Sequence, residues 1–204
     1  MTDMQDSRWY LKLLAPGAPI GWTDPSPLYM NAQAFSDLLD DLTGPFKSDR
    51  IDLVVAMEPF GFMLGAGIAT RLGLGVLTVR KETLLAGPID TVEYPRTSGT
   101  PGKLVTRKPG FVPGTRILLV DQWVESGGAM SGMLELVKRQ GAVIAGIATL
   151  CIEEKNAHLR SEYKCATAVL PGTDIQEQCN RHRLDHFDDY DWTSIVPQPD
   201  GGRS

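Results

Sequence analysis

Apolar positions along this chain change spacing in an order that alternates strands with helices. Residues 51–57 form a continuous apolar run with β-branched members, as a parallel strand buried on both faces requires. Residues 62–72 follow with small side chains and glycine at helical spacing, and 75–80 predict the next strand. The alternation then repeats: strand 116–121, helix 126–140, strand 143–151, helix 153–163 and a short strand 166–170. Nearer the amino end, Ala34, Phe35, Leu38, Leu39 and Leu42 recur at helical intervals within 32–42. An apolar stretch (9–14) and a Pro/Gly-rich segment (15–27) precede them. The pattern predicts an α/β fold: a central, mostly parallel twisted sheet flanked by helices, with its loops at the carboxyl ends of the strands.

Residues 81–113 break the alternation, being rich in Gly, Pro and Thr. Two candidate antiparallel strands, 91–94 and 103–107, bracket the polar stretch 95–102, which can serve as a lid. No linker divides the chain. The expectation is one domain over 1–190, with a small hood at about 1–30 and a flexible loop at about 82–113, then an acidic Pro/Gly-rich tail over 191–204.

Composition narrows the partners. With net charge −5 and no basic run, nothing points to nucleic acid. No apolar stretch approaches the ~20 residues of a membrane span, and residues 1–8 lack the apolar core of a signal peptide. Three cysteines fit a reducing compartment better than a disulfide framework, so a cytoplasmic protein is expected.

The chemistry concentrates in residues 117–130. An apolar strand ends at Asp121, then Gln122 and a short turn lead through Glu125 to Ser126-Gly127-Gly128-Ala129-Met130, which opens a helix. A helix N-terminus carries roughly half a positive charge and free N–H groups that bind phosphate. A carboxylate for hydroxyls beside a glycine turn for phosphate suits a sugar phosphate.

This segment resembles the ribose-phosphate motif of type I phosphoribosyltransferases, an apolar strand, two acids and Thr-Gly-Gly-Thr. Further stretches are similar to the adenine phosphoribosyltransferase branch, in the same order and at similar spacing: Trp22-Thr23-Asp24-Pro25-Ser26-Pro27-Leu28, Gly61-Phe62 with Leu64-Gly65-Ala66, Arg71-Leu72-Gly73-Leu74, Val79-Arg80-Lys81, and Val92-Glu93-Tyr94. The resemblance implies Mg2+-dependent transfer of phosphoribosyl from phosphoribosyl pyrophosphate to a purine-like base, yielding a nucleoside monophosphate, in a homodimer. It further implies that Asp121 and Gln122 meet the ribose hydroxyls, with Asp121 reaching the metal at most through water. Residues 125–130 would hold the 5′-phosphate, Arg80 and Lys81 would face pyrophosphate, and Trp22 would lie by the base. Glu93 would act on the lid near the base nitrogen, with Tyr94 alongside.

Departures from the family pattern fall mainly on the pyrophosphate side. Phe60 stands before Gly61 where the family has Arg, and Pro59 lacks an N–H. Gln122 replaces the second acid, Ala129 the last hydroxyl, and Thr23 an Arg. Two other readings therefore stay open: a nucleotide-binding regulatory or accessory protein, and an enzyme that cleaves an N-glycosidic bond. Separately, Cys179, His182 and His186 have a spacing that permits a metal site with Asp185 or Asp189.

Overall fold

The computed structural model describes residues 8–17, 22–82, 85–96 and 99–181. These described residues divide into two compact units, one drawn from residues 8–38 with 170–181 and the other from residues 39–169.

In the first unit a short 3-10 helix, Trp9–Leu13, precedes an antiparallel pair, β1 (Ala15–Gly17) and β2 (Trp22–Asp24). The Asp24 carboxylate accepts both the Ser26 N–H (2.8 Å) and its hydroxyl (2.6 Å), which starts α1 (Ser26–Met30). Asn31 then caps α2 (Ala32–Thr43) by accepting the Ala34 N–H at 3.0 Å. The unit boundary falls within α2.

The second unit holds the sheet. Its elements run β3 (Leu53–Met57), α3 (Phe60–Leu72), β4 (Val76–Lys81), β5 (Ile89–Tyr94), β6 (Gly102–Arg107), β7 (Arg116–Val120), β8 (Trp123–Val124), α4 (Gly128–Arg139), β9 (Val143–Thr149), β10 (Cys151–Ile152), α5 (His158–Glu162) and β11 (Cys165–Thr167). Seven strands lie in the order β11-β9-β7-β3-β4-β6-β5. Pairing is parallel from β11 to β4 and antiparallel for β6 and β5. The mostly parallel sheet expected from the apolar runs is therefore present, with the two middle-segment strands as its antiparallel margin. Val55, Met57, Ile117 and Leu119 from β3 and β7 pack with Met130, Met133, Leu136 and Val137 from α4 in one buried cluster. That burial fixes α4 on the sheet, and with it the loops at the strands' carboxyl ends.

One expected element differs and one ladder is additional. The predicted helix 153–163 is a 3-10 turn, Glu154–Asn156, followed by the short α5. A two-stranded parallel ladder, β8 with β10, lies outside the main sheet. Among the described residues the last element is α6 (Asp174–Asn180) in the first unit, capped by Thr173, whose hydroxyl accepts the Gln176 N–H. Among the described residues no helix is long and apolar enough to cross a membrane.

Candidate functional site

At the carboxyl end of β7, the Asp121 N–H continues the ladder to the Ala148 carbonyl (3.3 Å). The side chain turns back on its own loop, and Oδ1 accepts the Gln122 N–H at 2.7 Å. Burial pushes this carboxyl up to about 6; the positive charge of Lys81 and the N–H groups of Gln122 and Trp123 oppose the rise. Gly61, in the first turn of α3, backs onto the same residue. A β-carbon there would stand 3.2 Å from the Asp121 Cα and the Val120 carbonyl oxygen.

The end of β4 supplies the cations. Glu58, between β3 and α3, accepts the Lys81 N–H at 2.8 Å and lies 3.8 Å from Arg80 Nε. That Nε is buried and, among the described residues, has no hydrogen-bond partner beyond this longer ion pair. Gly61, Asp121 and Lys81 thus come together, with Glu58 joining Lys81 to Arg80. Phe60 is instead 40% exposed, with Met63 beside it at 47%, so the first turn of α3 presents apolar rather than cationic groups to solvent.

Beyond β8 the chain makes the glycine turn. Gly127 has φ 82°, in the left-handed region that favours glycine, and immediately precedes α4. Among the described residues no side chain caps the helix there, and the Gly128 N–H reaches Ser126 Oγ at 3.4 Å. The first-turn amides of Gly128, Ala129 and Met130 therefore remain available to an anion. Met130 itself is core: its side chain is buried, and only its backbone belongs to the turn. The Gln122 carbonyl is held by Leu150 N–H (3.0 Å) and by the Thr149 hydroxyl (2.8 Å), so its backbone is fixed while its side chain stays half-buried. Glu125 is also half-buried, and Ser126 is exposed.

On β5, Glu93 and Tyr94 take opposite faces. Glu93 is exposed and sits across from Lys103 of β6, whereas Tyr94 is buried among Val92, Leu104 and Met133. The Arg96 guanidinium lies 5.6 Å over the Tyr94 ring and pairs with Glu82. The Pro95 carbonyl comes against Gly128, where a β-carbon would overlap it, so the hairpin end and the glycine turn touch. Trp22 belongs to β2; its side chain lies outside the described residues, as do His182, Asp185, His186 and Asp189. Cys179 is buried in α6, and no metal-binding group of His, Cys, Asp and Glu occurs among the described residues.

Four contributors escaped sequence reasoning: Glu58, Trp123, Glu153 and Asn156. Trp123 donates from Nε1 to Glu153 (3.1 Å), and Asn156 donates to the Glu125 carbonyl (2.5 Å). Trp123 lies within the 117–130 motif but carries none of its pattern, and Glu153 and Asn156 lie in no recognisable motif; the paired strands β8 and β10, two residues each, are too short to leave a periodic signal.

A carboxylate at a strand's end, followed by a glycine turn opening a helix, is an arrangement that suits a phosphorylated ligand at the strand ends of an α/β fold. Comparison with known proteins carries the assignment further. Residues 31–186 match the phosphoribosyl transferase domain. The chain is 32% identical to the adenine phosphoribosyltransferase of Roseiflexus sp. (strain RS-1) over 131 residues, 64% of this chain and 76% of that protein. It is 35% identical to the enzyme of that name from Sorangium cellulosum over 133 residues, covering 65% and 66%. Among solved structures, adenine phosphoribosyltransferase from Saccharomyces cerevisiae, complexed with D-2,5-dideoxy-2,5-imino-altritol 1,6-bisphosphate and adenine, superposes with TM-score 0.68 at 26% identity, covering 80% of this chain and 98% of that one. The chain belongs to the phosphoribosyltransferase family.

Proposed function

We propose that this protein transfers the 5-phosphoribosyl group of phosphoribosyl pyrophosphate to a purine base of the adenine kind, releasing pyrophosphate and a nucleoside monophosphate. The carrying observation is the placement of Asp121, backed by Gly61 and facing Lys81, at the head of a turn whose helix amides are uncapped. In the reaction the base nitrogen forms a bond to the anomeric carbon as the bond to the pyrophosphate oxygen breaks, and the nitrogen's proton leaves.

Each group has a task that its surroundings suit. Asp121, ionised above about pH 6, accepts hydrogen bonds from the ribose hydroxyls, with Gln122 beside it. The turn from Glu125 to Met130 holds the 5′-phosphate through its amides. Lys81 and the guanidinium of Arg80, which pairs with Glu58, meet the departing pyrophosphate. Glu93, exposed on the hairpin, orients or deprotonates the base; Tyr94 supports it from within. Trp22 is assigned to the base by resemblance alone.

Mg2+ keeps most of its water and binds through one or two carboxylates plus substrate phosphates. One carboxylate at Asp121, reaching the ion through water, fits that demand. When bound, the ion would neutralise charge on the diphosphate. A homodimer in the cytoplasm belongs to the same proposal and is checked by light scattering and fractionation.

The test is incubation of the folded chain with phosphoribosyl pyrophosphate, Mg2+ and a panel of purine and pyrimidine bases, with nucleotides resolved by chromatography. Adenosine monophosphate formed from adenine is the expected product. No nucleotide from any base would sink the transferase reading. Tight monophosphate binding without turnover would then favour the regulatory role that the exposed Phe60 motivates.

A further inference from the structure

Hydrogen bonding along the main sheet does not account for the shape of the glycine turn. Residues 125–127 lie past the end of the β8–β10 ladder, and the turn has no side-chain cap of its own. What reaches it is Asn156, about thirty positions further along the chain and 4% exposed. Its Nδ2 donates to the Glu125 carbonyl at 2.5 Å and to the Val124 carbonyl at 3.3 Å. Its Oδ1 lies against Gly127, where any β-carbon would overlap it. Asn156 is itself anchored: its N–H donates to the Glu153 carbonyl (2.8 Å), and the Glu153 N–H donates to the Val124 carbonyl (3.0 Å). The Glu153 carboxylate, 4% exposed, receives Trp123 Nε1 at 3.1 Å and faces Lys155 Nζ at 3.1 Å.

In a planar trans peptide the carbonyl and the next residue's N–H point in opposite directions. Fixing the Glu125 carbonyl therefore aims the Ser126 N–H, and fixing the Val124 carbonyl aims the Glu125 N–H. We infer that Asn156 is the positioning residue of the phosphate turn: it draws two successive carbonyls to one side, so that the amides face the opposite side, where an anion can take them. The inference rests on the sugar-phosphate reading above. It assigns Asn156 no contact with the ligand. Its contribution is to hold a row of donors that would otherwise have to be ordered by the ligand on binding.

The measurement is calorimetry on the full chain with two probes, adenosine 5′-monophosphate and adenosine, which differ only in the phosphate. Asn156→Ala should weaken monophosphate binding by about tenfold or more, the loss expected when one charge-assisted hydrogen bond is misaligned. Adenosine binding should stay within about twofold of the parent, since a neutral ligand forms no charge-assisted bond with the amides. Asn156→Asp keeps the shape but turns a carboxylate toward two carbonyls. It should show the same selective loss, and it carries the comparison if the alanine variant does not fold. Unchanged monophosphate affinity, or equal losses for both probes as a general structural fault would give, overturns the positioning role alone. A parent that binds no monophosphate overturns the sugar-phosphate reading together with it.

Discussion

Gly61 and Asp121 lie back to back, the space for a β-carbon on the first ending 3.2 Å from the Cα of the second. The contact is with main chain, which cannot swing aside as a flexible side chain would. Gly61→Val should therefore push the β7 loop outward, at a cost of about 1–3 kcal/mol for overpacking. Ligand affinity should fall along with the melting temperature. Thermal melts and calorimetry on the same sample check both.

Asp121→Asn should separate stability from function. Because burial raises this carboxyl from 3.8 to about 6, the folded state binds the proton more tightly than the unfolded state does. The cost of the buried charge is absent below pH 3.8, grows through that window, and is complete above about 6. At pH 7.5 the asparagine variant should be more stable by on the order of 1–3 kcal/mol, yet bind no ribose phosphate. Denaturant unfolding at pH 4 and 7.5 reads the difference, which should shrink at the lower value.

Phe60→Arg restores a cation on the first turn of α3, where the ring is exposed and its replacement needs no repacking. The expected result is a KM for phosphoribosyl pyrophosphate lowered by roughly tenfold, the scale of one hydrogen bond to a charged group. Steady-state kinetics with base held saturating would show it. An unchanged KM would mean that this turn does not face the diphosphate.

Glu93 and Tyr94 offer a paired test across one strand. Glu93→Ala removes an exposed side chain, so stability should hold within about 0.5 kcal/mol while turnover slows by about 100-fold. Tyr94→Ala opens the core beneath the hairpin and should cost about 3 kcal/mol. Circular-dichroism melts beside initial rates distinguish the two.

Much of this architecture was legible from spacing. The run 51–57 contains β3, the run 116–121 contains β7, and the predicted helix 126–140 covers α4 to within two residues. Burial on both faces leaves so continuous an apolar record that no partner need be known. Tyr94 shows the limit of reading by motif. The resemblance set it alongside Glu93, whereas the strand's pleat turns it to the inward face with Val92, opposite Glu93. The helix expected over 153–163 failed for a different reason. The Glu153 N–H and the Asn156 side chain are committed to carbonyls of residues 124 and 125, a long-range demand that no local propensity reports.

The ladder joining residues 123–124 to 151–152, with Asn156 just past it, has a consequence for engineering. Residues 117–139 look like a portable cassette, complete with acid, glycines and helix. Spliced into a foreign strand–helix unit without the downstream stretch, they would keep every recognisable letter and lose the scaffold that shapes the loop. A successful transplant has to carry both pieces, although some twenty-five residues of chain separate Gly127 from Glu153.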